Sequence, residues 1–466
     1  MARLESRLSS PAPQITPTPA PGAVAGRLPL GIAMAYGPPV VGAASMLFFV
    51  QFYFLNFATD VLLISPAVIG VVFALGRLWD ALTDPLVGTW SDRTRSRLGR
   101  RRPWLFASAP LLWLTFAMVY LPPRGLSDTS TLVWVTIGLF AFYTALTGYL
   151  IPSQALGAEL TDDHHDRSRV FGLRGAFFTL GMIYAFGGMQ YVMNAPDPRA
   201  AAGPVVAVGV ALGLLLLIPP WRVRERKEFQ GRGSQRPLRA MTDVLRNPHA
   251  RLLLFVQFVE MAGAGVLGIL SPYLMKYILK RPDLVGVLPA IFVVFSVASI
   301  PVWVRLMRSY GKRNVWLVAM VLFAFTFGAI AFVQPGQWLL MGVLLFGAGT
   351  AAGCGAAAGP SILADVIDSD EYLTGERKEG AYSAAWGFAI KSANALVISL
   401  TGFALALAGF EPNAEQSREA EITLRALAGG LPFVLYLTGA LLFSRFRLNE
   451  AEHARIRAEL DRRREA

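Results

Sequence analysis

Apolar residues run along this chain in long blocks separated by short polar connectors. Twelve blocks can be drawn, near residues 32–58, 66–91, 103–122, 131–155, 168–192, 203–220, 249–278, 283–307, 312–333, 337–364, 380–409 and 423–446. A helix needs about 20 predominantly apolar residues to cross the roughly 30 Å hydrocarbon core of a bilayer, and the blocks are that long or longer. The pattern therefore predicts an all-α polytopic membrane protein with twelve transmembrane helices. Most blocks exceed the required length, which implies tilt or ends that project from the membrane.

The connectors orient the chain. Arg93, Arg95, Arg97, Arg100, Arg101 and Arg102 lie between blocks 2 and 3, and another basic group, Arg222 to Arg246, lies between blocks 6 and 7. Alternate connectors hold few basic residues, so the positive-inside bias places both termini in the cytoplasm. The long connector at 221–248 divides the blocks six and six. Expected domains are a disordered proline-rich tail over 1–30, an N-terminal half over 31–220, a cytoplasmic linker over 221–248, a C-terminal half over 249–447 and a tail over 448–466. A faint repeat supports the division, since WSDRTRSRLGRRRPW after block 2 is echoed by WVRLMRSYGKRNVW after block 8. Repeated halves with a site between them are a signature of secondary transporters.

Composition narrows the function classes. Hydrophobic residues make up 54% of the chain and charged residues 16%, with a mean hydropathy of +0.47, which describes no soluble enzyme. The net charge of +12 sits in connectors beside apolar blocks, so a nucleic-acid partner is not expected. Cys354 is the single cysteine, which excludes an internal disulfide. No phosphate-binding loop, nucleophile elbow or zinc motif is present, so the chain reads as a non-enzyme without a cofactor, driven by an ion gradient.

Candidate chemistry lies where charges interrupt the apolar blocks. Arg77, Asp80 and Asp84 in GRLWDALTDPLVG are spaced three and four apart and share one helical face. Each charge near the bilayer centre costs roughly 2.5–3.5 kcal/mol on insertion scales, so such residues face a watered interior or one another. Two carboxylates one turn apart, with Thr83 or a neighbouring hydroxyl, supply oxygens for Na⁺, Li⁺ or H⁺, which makes Asp80 and Asp84 the expected metal ligands if the ion is Na⁺. The plainer alternative is a structural charge cluster with Arg77. Lys391, in AAWGFAIKSANAL, is too deep to snorkel and needs a carboxylate or a cavity. Arg174 is either a bidentate solute ligand or an interfacial helix-end arginine; Glu260 is either functional or a packed, protonated carboxyl. Asp365 and Asp368, in ADVIDSDEYLTGERKEGAY, either meet Arg97 and its neighbours as a cytoplasmic gate or are merely solvated.

These motifs, RLWDALTDPLVG with DRTRSRLGRRRPW and ADVIDSDEYLTGERKEGAYSAAWGFAIK, resemble the glycoside-pentoside-hexuronide:cation symporters of the major facilitator superfamily, typified by melibiose permease. The resemblance spans both halves. It implies a cation site at Asp80 and Asp84 with Thr147 contributing, and solute or coupling roles for Lys391 and Arg174; with Arg77 and Gln154 these form the candidate solute and coupling set. The family's sugar-gripping aspartates align with Ala44 and Leu150, and the aromatic residue of block 4 aligns with Gln154. The expected function is cation-coupled import of a sugar, glycoside or related small solute by alternating access. The alternative is a lysophospholipid-type symporter of the same superfamily, which shares the block-2 and block-11 charges. The implied partners are a small-molecule substrate, a monovalent cation and membrane lipid, and the protein is expected to be a monomer in the bacterial inner membrane.

Overall fold

The computed structural model of the chain describes residues 28–161, 164–223, 225, 244–375, 379–446, 448 and 450–465. Most of the expected N-terminal tail, residues 1–27, and much of the expected linker, residues 226–243, lie outside the described residues.

Eleven helices among the described residues are long and apolar enough to span a membrane without a break: α1 Leu30–Val61, α2 Pro66–Arg93, α3 Arg102–Tyr120, α4 Asp128–Gly157, α5 Arg169–Met193, α6 Pro198–Arg222, α7 Pro248–Ile278, α9 Lys312–Ile330, α10 Trp338–Thr374, α11 Ala381–Leu407 and α12 Arg418–Phe443. The twelfth span, α8, is a pair, Pro282–Ala298 and Ile300–Tyr310, bent by 43° at Ser299. Pro301 follows this bend; a proline ring cannot supply the backbone donor that a straight helix needs there. Ser127, Asp197, Asn247 and Ser417 accept hydrogen bonds from first-turn amides and start α4, α6, α7 and α12. The C-terminal segment is a further helix, α13 Glu450–Glu465.

The repeat read from the sequence is a repeat of backbone devices. Gly99 and Gly311 both have positive φ, 107° and 84°, at the entries to α3 and α9, a conformation that a side chain would oppose. In each half a basic residue after the glycine reaches an acid in the cytoplasmic part of the fourth helix or just past it: Arg100 and Arg101 to Glu159, and Lys312 to Asp365. The first helix of each half closes with a π-helical turn, Phe57–Val61 in α1 and Leu274–Ile278 in α7. Leu63 (φ 57°) and Lys280 (φ 54°) then take left-handed conformations in matching places.

Within the N-terminal half α5 lies directly on α1, and a Cβ at Gly181 would sit 2.5 Å from Ala44 Cβ. The halves meet along α2–α11 and α1–α7. At the first seam Gly70 and Gly402 bring the backbones together, since a Cβ on Gly402 would lie 3.0 Å from Gly70 Cα and 2.5 Å from the Pro66 carbonyl oxygen.

Glycine at Gly181 is thus a packing requirement. Gly181→Ala puts a methyl 2.5 Å from Ala44 Cβ and 2.6 Å from the Ser45 nitrogen, and should cost about 1–3 kcal/mol because the α1 backbone cannot yield. Gly175→Ala, on the same helix with nothing within 4 Å, should leave stability unchanged or slightly higher. Thermal unfolding of the two variants in detergent checks this; equal midpoints would remove the close α1–α5 approach.

Candidate functional site

The helical spacing of Asp80 and Asp84 brings both carboxylates to the seam with α11, where Lys391 arrives from the other half. Its Nζ lies 2.8 Å from Asp80 Oδ2 and 2.5 Å from Asp84 Oδ2. Thr147 of α4 approaches the opposite oxygens and donates at 2.6 Å to Asp80 Oδ1, with Asp84 Oδ1 at 3.1 Å. Arg77 Nη1 stands 3.8 Å from Asp80 Oδ2. Its Nη2 donates to Gln51 Oε1 at 3.0 Å, and its guanidinium lies 5.3 Å from the Tyr143 ring centroid. Two cations face two anions, so the cluster is neutral, which is what a low-dielectric interior requires of buried charge.

Access to the pair is unequal. The Asp80 side chain is 3% exposed, whereas those of Asp84 and Lys391 are 24% and 25% exposed. Pro85 follows Asp84 inside α2 and removes one backbone donor beside the carboxylate. Thr83 does not turn to the pair; its hydroxyl donates to the main-chain carbonyl of Asp80 at 3.1 Å.

Arg174 lies away from this cluster, buried on α5, where Nη1 donates to Ser153 Oγ at 3.0 Å. The guanidinium sits 5.2 Å from the Tyr36 ring centroid, and the Tyr36 hydroxyl donates to the Ser153 carbonyl at 3.0 Å. Ser153, not the neighbouring exposed Gln154, is therefore its partner on α4. Ala44 is fully buried against Gly181, and its position offers no room to a ligand. Glu260 accepts a hydrogen bond from Trp316 Nε1 at 3.2 Å, inside the C-terminal half.

The expected pairing of Arg97 with Asp365 or Asp368 is not made here. Arg97 is exposed; Asp365 binds Lys312 at 2.7 Å, and Asp368 meets His453 at 3.1 Å and Arg457 at 3.2 Å of α13. The physical reason is that the halves are joined at the opposite, extracellular end. There Asp60 of α1 receives Lys276 Nζ at 2.5 Å and the Tyr277 hydroxyl at 2.6 Å from α7. Asn413, in the connector between α11 and α12, donates to the Asp60 carbonyl at 2.8 Å, while the Thr59 and Tyr273 hydroxyls are 2.9 Å apart. Gln190 at the end of α5 binds the Asp283 carbonyl and, at 2.6 Å, the Gly286 amide at the start of α8. The outer side is closed. Sequence reasoning passed over Asp60 and Lys276 because both lie within about a turn of a block end, where long charged side chains ordinarily reach water. The basic face of α13 was missed because a polar terminal segment has no apolar periodicity to announce a docked helix.

Comparison with known proteins places the chain among transporters. Residues 35–450 match the family model described as MFS/sugar transport protein. The uncharacterised symporter YjmB of Bacillus subtilis (strain 168) is 26% identical over 93% of this chain and 96% of its own length. Sodium-dependent lysophosphatidylcholine symporter 1-B of Danio rerio is 24% identical over 93% of this chain and 89% of its own. Among solved structures, that of a D-xylose-proton symporter superposes with a TM-score of 0.67 at 14% identity, covering 90% of this chain and 98% of that one. At that identity the likeness is one of fold.

The extracellular closure generates a test. Removing one charge, by Lys276→Met or Asp60→Asn, should weaken the closed outer end and raise labelling, from outside, of a cysteine introduced at Ser271, whose hydroxyl is buried without a partner. The double exchange, Asp60→Lys with Lys276→Asp, should restore protection at least in part. Cys354 is buried and should contribute little background. Equal labelling in all four backgrounds would show that the ion pair does not hold the outer end shut.

Proposed function

This chain belongs to the MFS/sugar transport protein family of the major facilitator superfamily, and from that premise we propose that it is a cation-coupled symporter importing a sugar, glycoside or similar small solute. One observation supports the reading above the others: a lysine of the C-terminal half lies between two carboxylates and a hydroxyl of the N-terminal half. The ammonium occupies the place that a monovalent cation would take. Carboxylate and hydroxyl oxygens are the hard ligands that Na⁺ prefers, and either carboxylate can instead take a proton.

The charge arithmetic gives a coupling route. With Lys391 in place the four charges cancel; a cation added to that set would leave the cluster with a buried excess of +1. Arrival of Na⁺ or H⁺, by way of the more exposed Asp84, therefore expels the ammonium. The bridge between α2 and α11 then breaks, and Lys391 is free to face the solute. Return of Lys391 expels the ion, so each crossing of the seam is tied to the ion's presence. The ion works here by its differential interaction with the bridged and unbridged states, as any population shift requires.

A second reading keeps the same coupling and takes a lysophospholipid as solute; the apolar Leu150, in place of one of the family's sugar carboxylates, favours it. Both are tested in proteoliposomes carrying labelled sugars or lysophosphatidylcholine under imposed Na⁺ and H⁺ gradients. Asp80→Asn and Asp84→Asn should each abolish uphill accumulation while the protein remains folded, because asparagine keeps the size and loses the countercharge. Lys391→Ala should impair transport more than expression and alter the ion dependence. Full accumulation in both asparagine variants would overturn the cation-site assignment, and the labelled compound that accumulates selects the solute.

A further inference from the structure

The cytoplasmic ends of α3 and α6 border a cleft of about 500 Å³, lined by Leu98, Arg102, Phe106 and Trp221. Its position follows from the helices. α3 begins at Arg102 and α6 ends at Arg222, so both ends lie at the inner surface, where the positive-inside bias places the basic connectors. Trp221 is 73% exposed, and an indole so placed is suited to the boundary between an apolar medium and a polar one. Two exposed apolar stripes lead from the cleft toward the bilayer: Leu111 and Leu114 on α3, and Ile218 and Leu214 on α6. The cleft thus joins the lipid-facing surface of two helices to the basic connector.

Charge at the cleft is unmatched. Of the five N–H donors of Arg102 two are used: Nε donates to the Pro220 carbonyl at 2.6 Å and Nη1 to the Leu98 carbonyl at 3.3 Å. Arg97 and Arg222, beside Leu98 and Trp221, are exposed, and none of the three arginines forms an ion pair among the described residues. The start of α3, where main-chain amides attract anions, is already filled: the Glu225 carboxylate accepts the amides of Arg100 and Arg101 at 2.8 Å and of Arg102 at 2.9 Å. The free donors are therefore those of the guanidinium. The other half shows that this turn needs no charge. Asn314 stands three residues after Gly311, as Arg102 stands three after Gly99, and its Nδ2 donates to the Tyr310 carbonyl at 3.3 Å. A neutral side chain makes the same bond over the same four residues.

We propose that this cleft is a headgroup site for an anionic phospholipid of the inner leaflet. The phosphate meets the free guanidinium donors of Arg102, a pairing that fork geometry makes strong. Trp221 lies along the glycerol level, and the acyl chains cover Phe106 and the two apolar stripes. Arg97 and Arg222 favour a lipid with net negative charge over a zwitterionic one, whose own cation they would repel. A soluble phosphate would meet the cations but leave Trp221 and the stripes uncovered. The site is separate from the coupling cluster and independent of which solute the protein carries. Its occupant would sit against the α2–α3 turn and the end of α6, the two segments that Arg102 and Glu225 already join.

The test uses the full-length protein in phosphatidylcholine nanodiscs to which phosphatidylglycerol or further phosphatidylcholine with brominated chains is added, since bromine quenches tryptophan emission on contact. The difference between the wild type and Trp221→Phe isolates Trp221 from the rest of the ten tryptophans. Brominated phosphatidylglycerol should quench that signal at a mole fraction about tenfold lower than brominated phosphatidylcholine. Arg102→Asn, which copies the residue of the other half, should reduce the preference about fivefold, the effect of one cation at an anionic surface. Because Arg102 also bonds the Pro220 carbonyl, Arg97→Gln and Arg222→Gln are read beside it; both side chains are exposed and unpaired, so each should reduce the preference while leaving the thermal midpoint in pure phosphatidylcholine unchanged. Equal quenching by the two lipids in the wild type, or a preference unaltered in all three arginine variants, would overturn the proposal. Loss of the preference on adding inorganic phosphate would do the same, by assigning the cations to a soluble anion.

Discussion

Buried charge must be neutralised locally, and in this protein the neutralising partner comes from the other half of the molecule. Asp80 and Asp84 share a helix face, and Arg77 beside Asp80 balances only one of them. The second cation is Lys391, which belongs to α11. Desolvation of an unpaired charge costs several kcal/mol, so neither half can hold its own charges at this depth without an alternative partner. The seam is therefore bridged by electrostatic necessity. In the coupling proposed above, this is where a monovalent cation acts, because it would compete with the bridge itself.

The two halves apply the same local devices to different ends. A positive-φ glycine and a following basic residue tie the second-to-third helix turn to the cytoplasmic part of the fourth helix in both. A π turn closes the first helix of each. Such a turn displaces the backbone register by one residue and re-aims the side chains that follow, and here it delivers Asp60 from α1 and Lys276 and Tyr277 from α7 to one another. The repeat thus produces an outer lock from two symmetric helix ends that carry opposite charge.

Much of this was legible in the sequence for identifiable reasons. Apolar blocks of membrane length set the helices, because in hydrocarbon every backbone group must be satisfied within its own segment; the drawn blocks coincide with α1–α12, and the break in α8 follows from Pro301. The charges of α2 and α11 stood out because an ionised group in an apolar block has so few permissible explanations. Asp60 and Lys276 carried no such signal at block ends, and neither did the docking of α13 through His453 and Arg457. The Arg97 pairing was inferred from opposite charge alone. Charge complementarity between two connectors does not say which conformation brings them together, and here the acids are held within their own half.

The positions of the two cross-half lysines explain why the inner acids are left to local partners. Lys276 holds the extracellular ends of α1 and α7, and Lys391 holds the middle of α2 against α11. Two packed bodies fixed at one end and at mid-depth retain freedom only at the remaining end, which is the cytoplasmic one. Arginines of the α2–α3 turn and acids of α10 can then satisfy themselves at no cost to the join: Arg100 and Arg101 on Glu159 and Asp92, Asp365 on Lys312, and Asp368 on α13. Closing the inner end would require these local pairs to be exchanged for pairs across the seam, while opening the outer end would require Asp60 to release Lys276. Exchange of one set of ion pairs for another keeps charge satisfied at both ends of the motion. The difference in energy between the two arrangements is then set by which partners each charge meets, and not by whether it has one.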